Sequence, residues 1–279
     1  MGLTVNYKIW LMTLMVALLA TIVGNSEAQA QNISEIEQYE VRTYTPINYG
    51  LKDLVFEVRV KNLKEILEGQ YNLKNIVDIY FKVYWIFPGQ YQINVEGLPE
   101  GFVELAAELK SILKGKLEFV VPKDISSKLR PYKLSYKSKT PTVIEGVDPT
   151  QGRMANRIEL IFEESGKLKK FRSFSPYKVT ESILGLGIKS WSHNKWVVEE
   201  YSMIIKTGQE LLTEKNEISY KAYSGVGLPI LISTTTTVEV KRQQDGKEEL
   251  VKLSSQASEL TFSKYEVNTG KAKKAMTQK

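Results

Sequence analysis

The side chains that could carry chemistry in this sequence do not form a catalytic set. There is one histidine, His193, and no cysteine, so the usual zinc sites and histidine-based triads lack the partners that they need. The adjacent carboxylates Glu163 and Glu164, like Glu199 and Glu200, stand in predicted strands, where neighbouring side chains point to opposite faces. We therefore predict no catalytic residue, no metal site, no cofactor and no enzymatic activity.

Glycine-rich and basic stretches give no signature for nucleotide or nucleic-acid binding. Gly185-Leu186-Gly187 does not have the spacing of a phosphate-binding loop, because Ile188 separates Gly187 from Lys189-Ser190 and no helix is predicted to begin there. The net charge is +6, and much of the excess lies in residues 271–279, which predict a disordered basic tail from about residue 270. Because no recognition motif accompanies this charge, we predict no nucleic-acid partner.

The first thirty residues predict a signal peptide. Lys8 precedes an apolar run over residues 9–23 that is short for a bilayer span, and Ala28 and Ala30 form an Ala-x-Ala cleavage site. We expect cleavage after about Ala30, export to the periplasm and one mature domain over residues 31–279. The alternative is that the apolar segment is retained as a membrane anchor.

The clearest structural pattern is a hairpin within residues 77–101. From Asp78 to Phe87, apolar side chains occupy every second position, which is the period of a strand with one dry face. Pro88-Gly89 supplies the turn, and the alternation resumes from Gln90 to Val95. This hairpin needs an apolar surface to cover its dry face.

Two further segments could provide that surface. Residues 51–60 alternate in the same way and predict a half-buried strand. In residues 102–115 apolar side chains recur at spacings of three and four, and Gly115 ends the run, which predicts a helix. Because a helix of this length is not stable alone, we expect its apolar side to lie on the hairpin.

The remaining sequence predicts a meander of strands. They fall at residues 117–121, within 131–144, and at 157–164, 167–175, 195–206, 218–223, 228–240, 250–253 and 260–267. Their regular spacing and the scarcity of helices predict a mainly β protein with a single curled antiparallel sheet. Such a sheet would bind an apolar ligand if its dry side is under-filled, and would only form a core if its own side chains fill that side.

Four segments, in their order along the chain, resemble the periplasmic lipoprotein-carrier superfamily, the LolA/LolB-like group. They are VYWIFPGQYQINVEG at 83–97, RIELIFEESG at 157–166, Leu228-Pro229, and the closing strand LTFSKYEVN at 260–268. The resemblance implies an incomplete β-barrel with a helical lid and an apolar cavity for acyl chains.

The sequence thus predicts an exported, non-enzymatic protein that holds a lipid or lipoprotein acyl chains, as in lipoprotein sorting to the outer membrane. The predicted partners are that lipid and a membrane-associated protein. A periplasmic structural or sensing domain that binds a protein and no lipid is the alternative, and an exported hydrolase ranks last. The residues predicted to line the cavity are Leu54, Phe56, Val58, Phe81, Val83, Trp85, Phe102, Leu105 and Leu109.

Overall fold

Twelve strands form one antiparallel sheet in the computed structural model, which describes residues 33–71, 78–244 and 247–277. The strands are β1 (Asp53–Val60), β2 (Tyr80–Ile86), β3 (Gln90–Glu96), β4 (Lys133–Lys139), β5 (Thr142–Val147), β6 (Arg157–Phe162), β7 (Leu168–Phe174), β8 (Val179–Ile188), β9 (Trp196–Thr207), β10 (Glu210–Tyr223), β11 (Val226–Gln244) and β12 (Lys247–Val267). The predicted signal peptide, residues 1–30, lies outside the described residues.

The order of the strands is simple. From β4 to β12 each strand pairs with the next along the chain, and β12 then pairs with β1, which continues through β2 to β3. β3 and β4 are therefore the two edges, and the sheet is not closed into a barrel. The prediction of a mainly β protein built on a single antiparallel sheet is confirmed.

Five α-helices and two short 3-10 helices accompany the sheet within the described residues. The α-helices are α1 (Ser34–Arg42), α2 (Leu63–Tyr71), α3 (Val103–Lys116), α4 (Ile125–Leu129) and α5 (Lys271–Thr277), and the 3-10 helices are Pro46–Tyr49 and Leu117–Phe119. The longest of them, α3, is the helix predicted for residues 102–115.

The predicted hairpin is the pair β2–β3. Phe81, Val83 and Trp85 are buried, whereas the intervening side chains of β2 are half-buried, because side chains alternate between the two faces of a strand. Tyr91 lies opposite Trp85 across the turn. The dry face of this hairpin packs into a core cluster that also contains Leu105 and Leu109 of α3.

The observed strands differ from the predicted ones at three places. Residues 117–121 form no strand, because Leu117–Phe119 continues α3 as a 3-10 turn. Residues 250–253 and 260–267 belong to the single strand β12, in which a polar stretch of sequence separates two apolar ones. β8 was not predicted, since Gly185 and Gly187 interrupt its apolar pattern.

The expectation of a disordered tail from about residue 270 is also wrong for α5. The Asp53 carboxylate accepts hydrogen bonds of 3.0 Å from the backbone N–H groups of Gly270 and Lys273, which satisfies two of the donors that a helix leaves free at its N-terminus. Ala272 is fully buried. The helix therefore packs on the sheet, on the side of β1 that carries Asp53.

Two apolar clusters form the core. The first contains β1 and β2, parts of β10–β12, and the helices α2 and α3. The second lies under β4–β7 and contains α1, α4 and Trp196 of β9. Side chains that belong to the two clusters, or pack against them, line the same cavity. The two clusters therefore lie on the same side of the sheet.

The opposite side of β5–β8 carries a row of charges. Glu145, Glu159, Arg172 and Glu181 lie directly opposite one another on four successive strands. The Arg172 Nε donates a hydrogen bond of 2.7 Å to Glu181, and its Nη1 lies 3.7 Å from Glu159. Burial would raise the pKa of Glu181, but the hydrogen bonds from Lys170 and Arg172 outweigh it and lower that pKa.

Candidate ligand-binding cavities

Helix α3 is held on the sheet by an apolar stripe. Leu105, Leu109 and Leu113 recur every four residues and are buried, because side chains at this spacing lie on one side of a helix. Phe102 precedes the helix and remains 36% exposed. The apolar stripe therefore begins at Leu105, one turn later than predicted.

The first cavity opens between the β1–β3 strands and the end of α3. Its volume is about 650 Å³, which is within the usual range of small-molecule sites. Phe56, Val83, Trp85 and Tyr91 form part of its wall on the sheet. We call it cavity 1.

The second cavity, cavity 2, lies under β7–β11 and has a volume of about 580 Å³. Phe171, Leu184, Val198 and Met203 contribute apolar wall from three successive strands. The wall also contains polar side chains, among them Ser182 and Tyr201, whose hydroxyls lie 2.9 Å apart.

Both cavities share one wall, which is formed by residues 115–124, from the last turn of α3 onward. We call this stretch the partition segment. Six of its residues line both cavities, namely Gly115, Glu118, Val120, Pro122, Lys123 and Asp124. Val120 is buried, so an apolar side chain anchors the segment, while Glu118, Lys123 and Asp124 are exposed.

A lysine fixes the start of the partition segment to the sheet. The Lys116 ammonium lies 2.8 Å from Glu214 Oε1, 2.5 Å from Asn216 Oδ1 and 3.3 Å from Thr234 Oγ1. Glu214 and Asn216 belong to β10, and Thr234 belongs to β11. The last turn of α3 is therefore tied to the middle of the sheet.

The same network sets the charge of Glu214. Burial would raise the pKa of this carboxyl, but hydrogen bonds from Lys116 and Asn216 outweigh it, so that the pKa lies below its ordinary value. Glu214 is therefore ionised at neutral pH, and it neutralises Lys116 within the wall of cavity 2. Burial likewise raises the pKa of Tyr201, which stays protonated.

The loop after α1 completes the shared wall. Thr45 lines both cavities. The neighbouring Tyr44 hydroxyl accepts a hydrogen bond of 2.8 Å from the Gly227 N–H on β11, and the Tyr44 ring packs edge-on against Trp191. These contacts hold the loop against the sheet.

The nine residues predicted to line a cavity fall into three groups. Phe56, Val83 and Trp85 line cavity 1. Phe102 is partly exposed and lines neither cavity. The other five are packed inside the first core cluster and line neither cavity; they are Leu54, Val58, Phe81, Leu105 and Leu109.

Cavity 2 was not foreseen from the sequence. Its lining comes partly from Ser182 and Leu184 of β8, and the signal for this strand is weak because Gly185 and Gly187 interrupt its apolar pattern. Tyr201 and Met203 stand at the same spacing on β9. The partition segment left no comparable signal, because Leu117, Phe119 and Val121 alternate as a strand would.

The single histidine of the sequence is used for packing. His193 lies in a turn and stacks on Tyr49, with ring centroids 4.4 Å apart. No three metal-binding side chains come together among the residues that the structure describes. Across those same residues, no helix has the length and apolar character needed to cross a membrane.

Comparisons of the chain with protein-family models, with curated proteins and with solved structures found no match.

Proposed function

We propose that the protein is an exported, non-enzymatic binding protein that holds the acyl chains of a lipid or lipoprotein. The observation that carries this proposal is the pair of cavities, about 650 and 580 Å³, between the apolar side of the sheet and the partition segment. Burial of an acyl chain contributes about 0.8 kcal/mol per methylene group. A dozen methylene groups in either cavity would supply useful affinity.

The open sheet supports the same proposal. Its two free edges and the helices α1–α4 on the apolar side are what an incomplete β-barrel with a helical lid would require, with α3 and the partition segment as that lid. The segments at 83–97 and 260–268, which resemble the LolA/LolB-like superfamily, form the β2–β3 hairpin and the end of β12. The periplasm as destination follows from the predicted signal peptide.

Lipid extraction and native mass spectrometry test this function. The protein is purified from the periplasm of an expression host and sprayed with and without added palmitic acid. We expect a co-purifying lipid in near-stoichiometric amount that palmitic acid displaces. A lipid-free protein that also ignores palmitic acid would contradict the proposal and would favour a structural or sensing domain that binds a protein.

A pair of variants locates the binding. Leu184→Trp adds bulk inside cavity 2, whereas Ile188→Trp changes the same strand at a side chain that is 57% exposed and lines neither cavity. We expect only the first to reduce the amount of bound palmitic acid. Equal binding by both folded variants would place the acyl chain elsewhere.

A further inference from the structure

The two cavities both lie against the partition segment. A methylene group occupies roughly the volume of one water molecule in the liquid, about 30 Å³, so cavities of 650 and 580 Å³ each have room for roughly twenty such groups. Each cavity therefore matches one long acyl chain. Because the partition segment lines both, two chains joined at one end could enter on its two sides.

The charges of the shared wall indicate what would join them. Glu118 is neutralised by Lys128, whose ammonium lies 2.7 Å away. Lys123 lines both cavities, is exposed and makes no ion pair with a described residue, and the same holds for Lys114 at cavity 1. Asp124 also lines both cavities and offsets Lys123, so the positive charge that remains is that of Lys114 at cavity 1, whereas Glu40 adds a negative charge at cavity 2.

We propose that the ligand is a two-chain amphiphile with an anionic head group, which straddles the partition segment. One chain lies in each cavity, and the head group binds at Lys123, with Lys114 beside cavity 1. This inference rests on the proposed function, because it names the class of acyl-chain ligand. It adds that the two cavities act together on one molecule.

The contacts of Lys116 with Glu214, Asn216 and Thr234 keep the two cavities separate. They tie the residue before the 3-10 turn to β10 and β11, so the partition segment stays between the cavities when they are filled. A ligand with one chain then fills each cavity independently, and two molecules bind. A ligand with two chains binds once.

Counting bound molecules by native mass spectrometry tests this arrangement. The delipidated full mature chain is titrated with dioleoylphosphatidylglycerol, which has two chains, and with oleoyl-lysophosphatidylglycerol, which has the same head group and one chain. We expect one molecule of the first and two of the second. Inorganic phosphate alone is the third arm, and it should not bind, because the head group without chains buries no apolar surface.

Variants that fill one cavity at a time test whether each cavity holds one chain. Ile47→Trp adds bulk to cavity 1 and Leu184→Trp to cavity 2, and Ile188→Trp is the matched control. Each filled variant should lose at least about tenfold in affinity for the two-chain lipid and bind one lysolipid instead of two. The control should behave as the natural chain, and urea midpoints report whether each variant folds.

The head-group contact has its own variant. Lys123→Gln should weaken phosphatidylglycerol about tenfold and leave uncharged dioleoylglycerol unaffected, and Lys133→Gln on exposed β4 is the control. Loss of binding to both lipids in folded Lys123→Gln would overturn the head-group assignment.

The outcomes separate this inference from the proposed function. Two bound lysolipids with no bound two-chain lipid would overturn the two-chain ligand and leave acyl-chain binding intact. Unchanged two-chain binding by both filled variants would overturn the arrangement across the partition segment. Binding of phosphate alone would show an anion site without a lipid, and absence of every amphiphile would overturn both proposals.

Discussion

Replacing Lys116 by methionine should detach the end of α3 from the sheet. Methionine keeps most of the apolar stem but removes the ammonium that contacts Glu214, Asn216 and Thr234. The side chains of Lys116 and Glu214 are only 13% and 25% exposed, so water replaces the lost donor incompletely. The Glu214 carboxylate is then left partly buried beside one remaining donor, the Asn216 amide.

The expected cost follows from these contacts. A hydrogen bond to a charged group contributes about 1.5–3 kcal/mol, and breaking a fully buried ion pair costs about 3–5 kcal/mol. Because this pair is partly solvated, we expect Lys116→Met to lower the free energy of unfolding by about 2.5 kcal/mol. For a domain of this size that corresponds to a fall in Tm of about 5–10 °C.

Urea unfolding measures the effect, with Lys114→Met as the control. Lys114 stands two residues earlier on α3, is exposed and makes no ion pair with a described residue, so its replacement should change stability by less than about 0.5 kcal/mol. Glu214→Gln should cost about 1 kcal/mol, and the double variant should cost about 1 kcal/mol less than the sum. Equal effects of the two lysine variants, or strict additivity with Glu214→Gln, would show that the Lys116 contacts do not hold the end of α3 on the sheet.

Three further predictions concern stability. Asp53→Ala should cost about 1 kcal/mol and speed hydrogen exchange in α5, because two backbone donors lose their cap; unchanged exchange there would show that packing alone holds the helix. Gly227→Ala should cost about 3 kcal/mol or more in urea unfolding, because its Cβ would overlap the Trp191 ring, whereas Gly115→Ala, with open space around it, should be neutral or stabilising. The pKa of Glu214 is held below 4.5 in the fold, so its contribution is complete above about pH 5.5 and is lost as the pH falls through the folded pKa. Glu214→Gln should therefore lose less stability than the natural chain on acidification to about pH 3.5, as measured by urea midpoints, and parallel losses would contradict that sign.

Patterns that depend on neighbouring residues could be predicted from the sequence. The β2–β3 hairpin follows from period-two alternation around a Pro-Gly turn, and α3 follows from Leu105, Leu109 and Leu113. Both signals are complete within about fifteen residues, which is the range over which side-chain periodicity acts. The antiparallel class of the sheet follows from the regular spacing of such patterns.

Elements that depend on distant partners could not be predicted. A Cβ at Gly185 would crowd Glu200, and one at Gly187 would crowd Glu199, so β8 needs glycine at the positions where its apolar pattern breaks. The turn after α3 is selected by Lys116 and its partners about a hundred residues away. Cavity volume is likewise a property of the packed chain, since Phe56 lines a cavity while the next inward side chain, Val58, does not.

The pairing of β1 with β12 has a consequence for the order of folding. Leu54 lies opposite Val267, whereas every strand from β4 to β12 pairs with its immediate neighbour in sequence. Local pairs form faster than pairs that close a long loop, so the β4–β12 meander should assemble first during synthesis or after release from an unfolded state. β1 can pair with β12 only after that last strand is available. Cavity 1 is therefore completed only when nearly the whole chain is present.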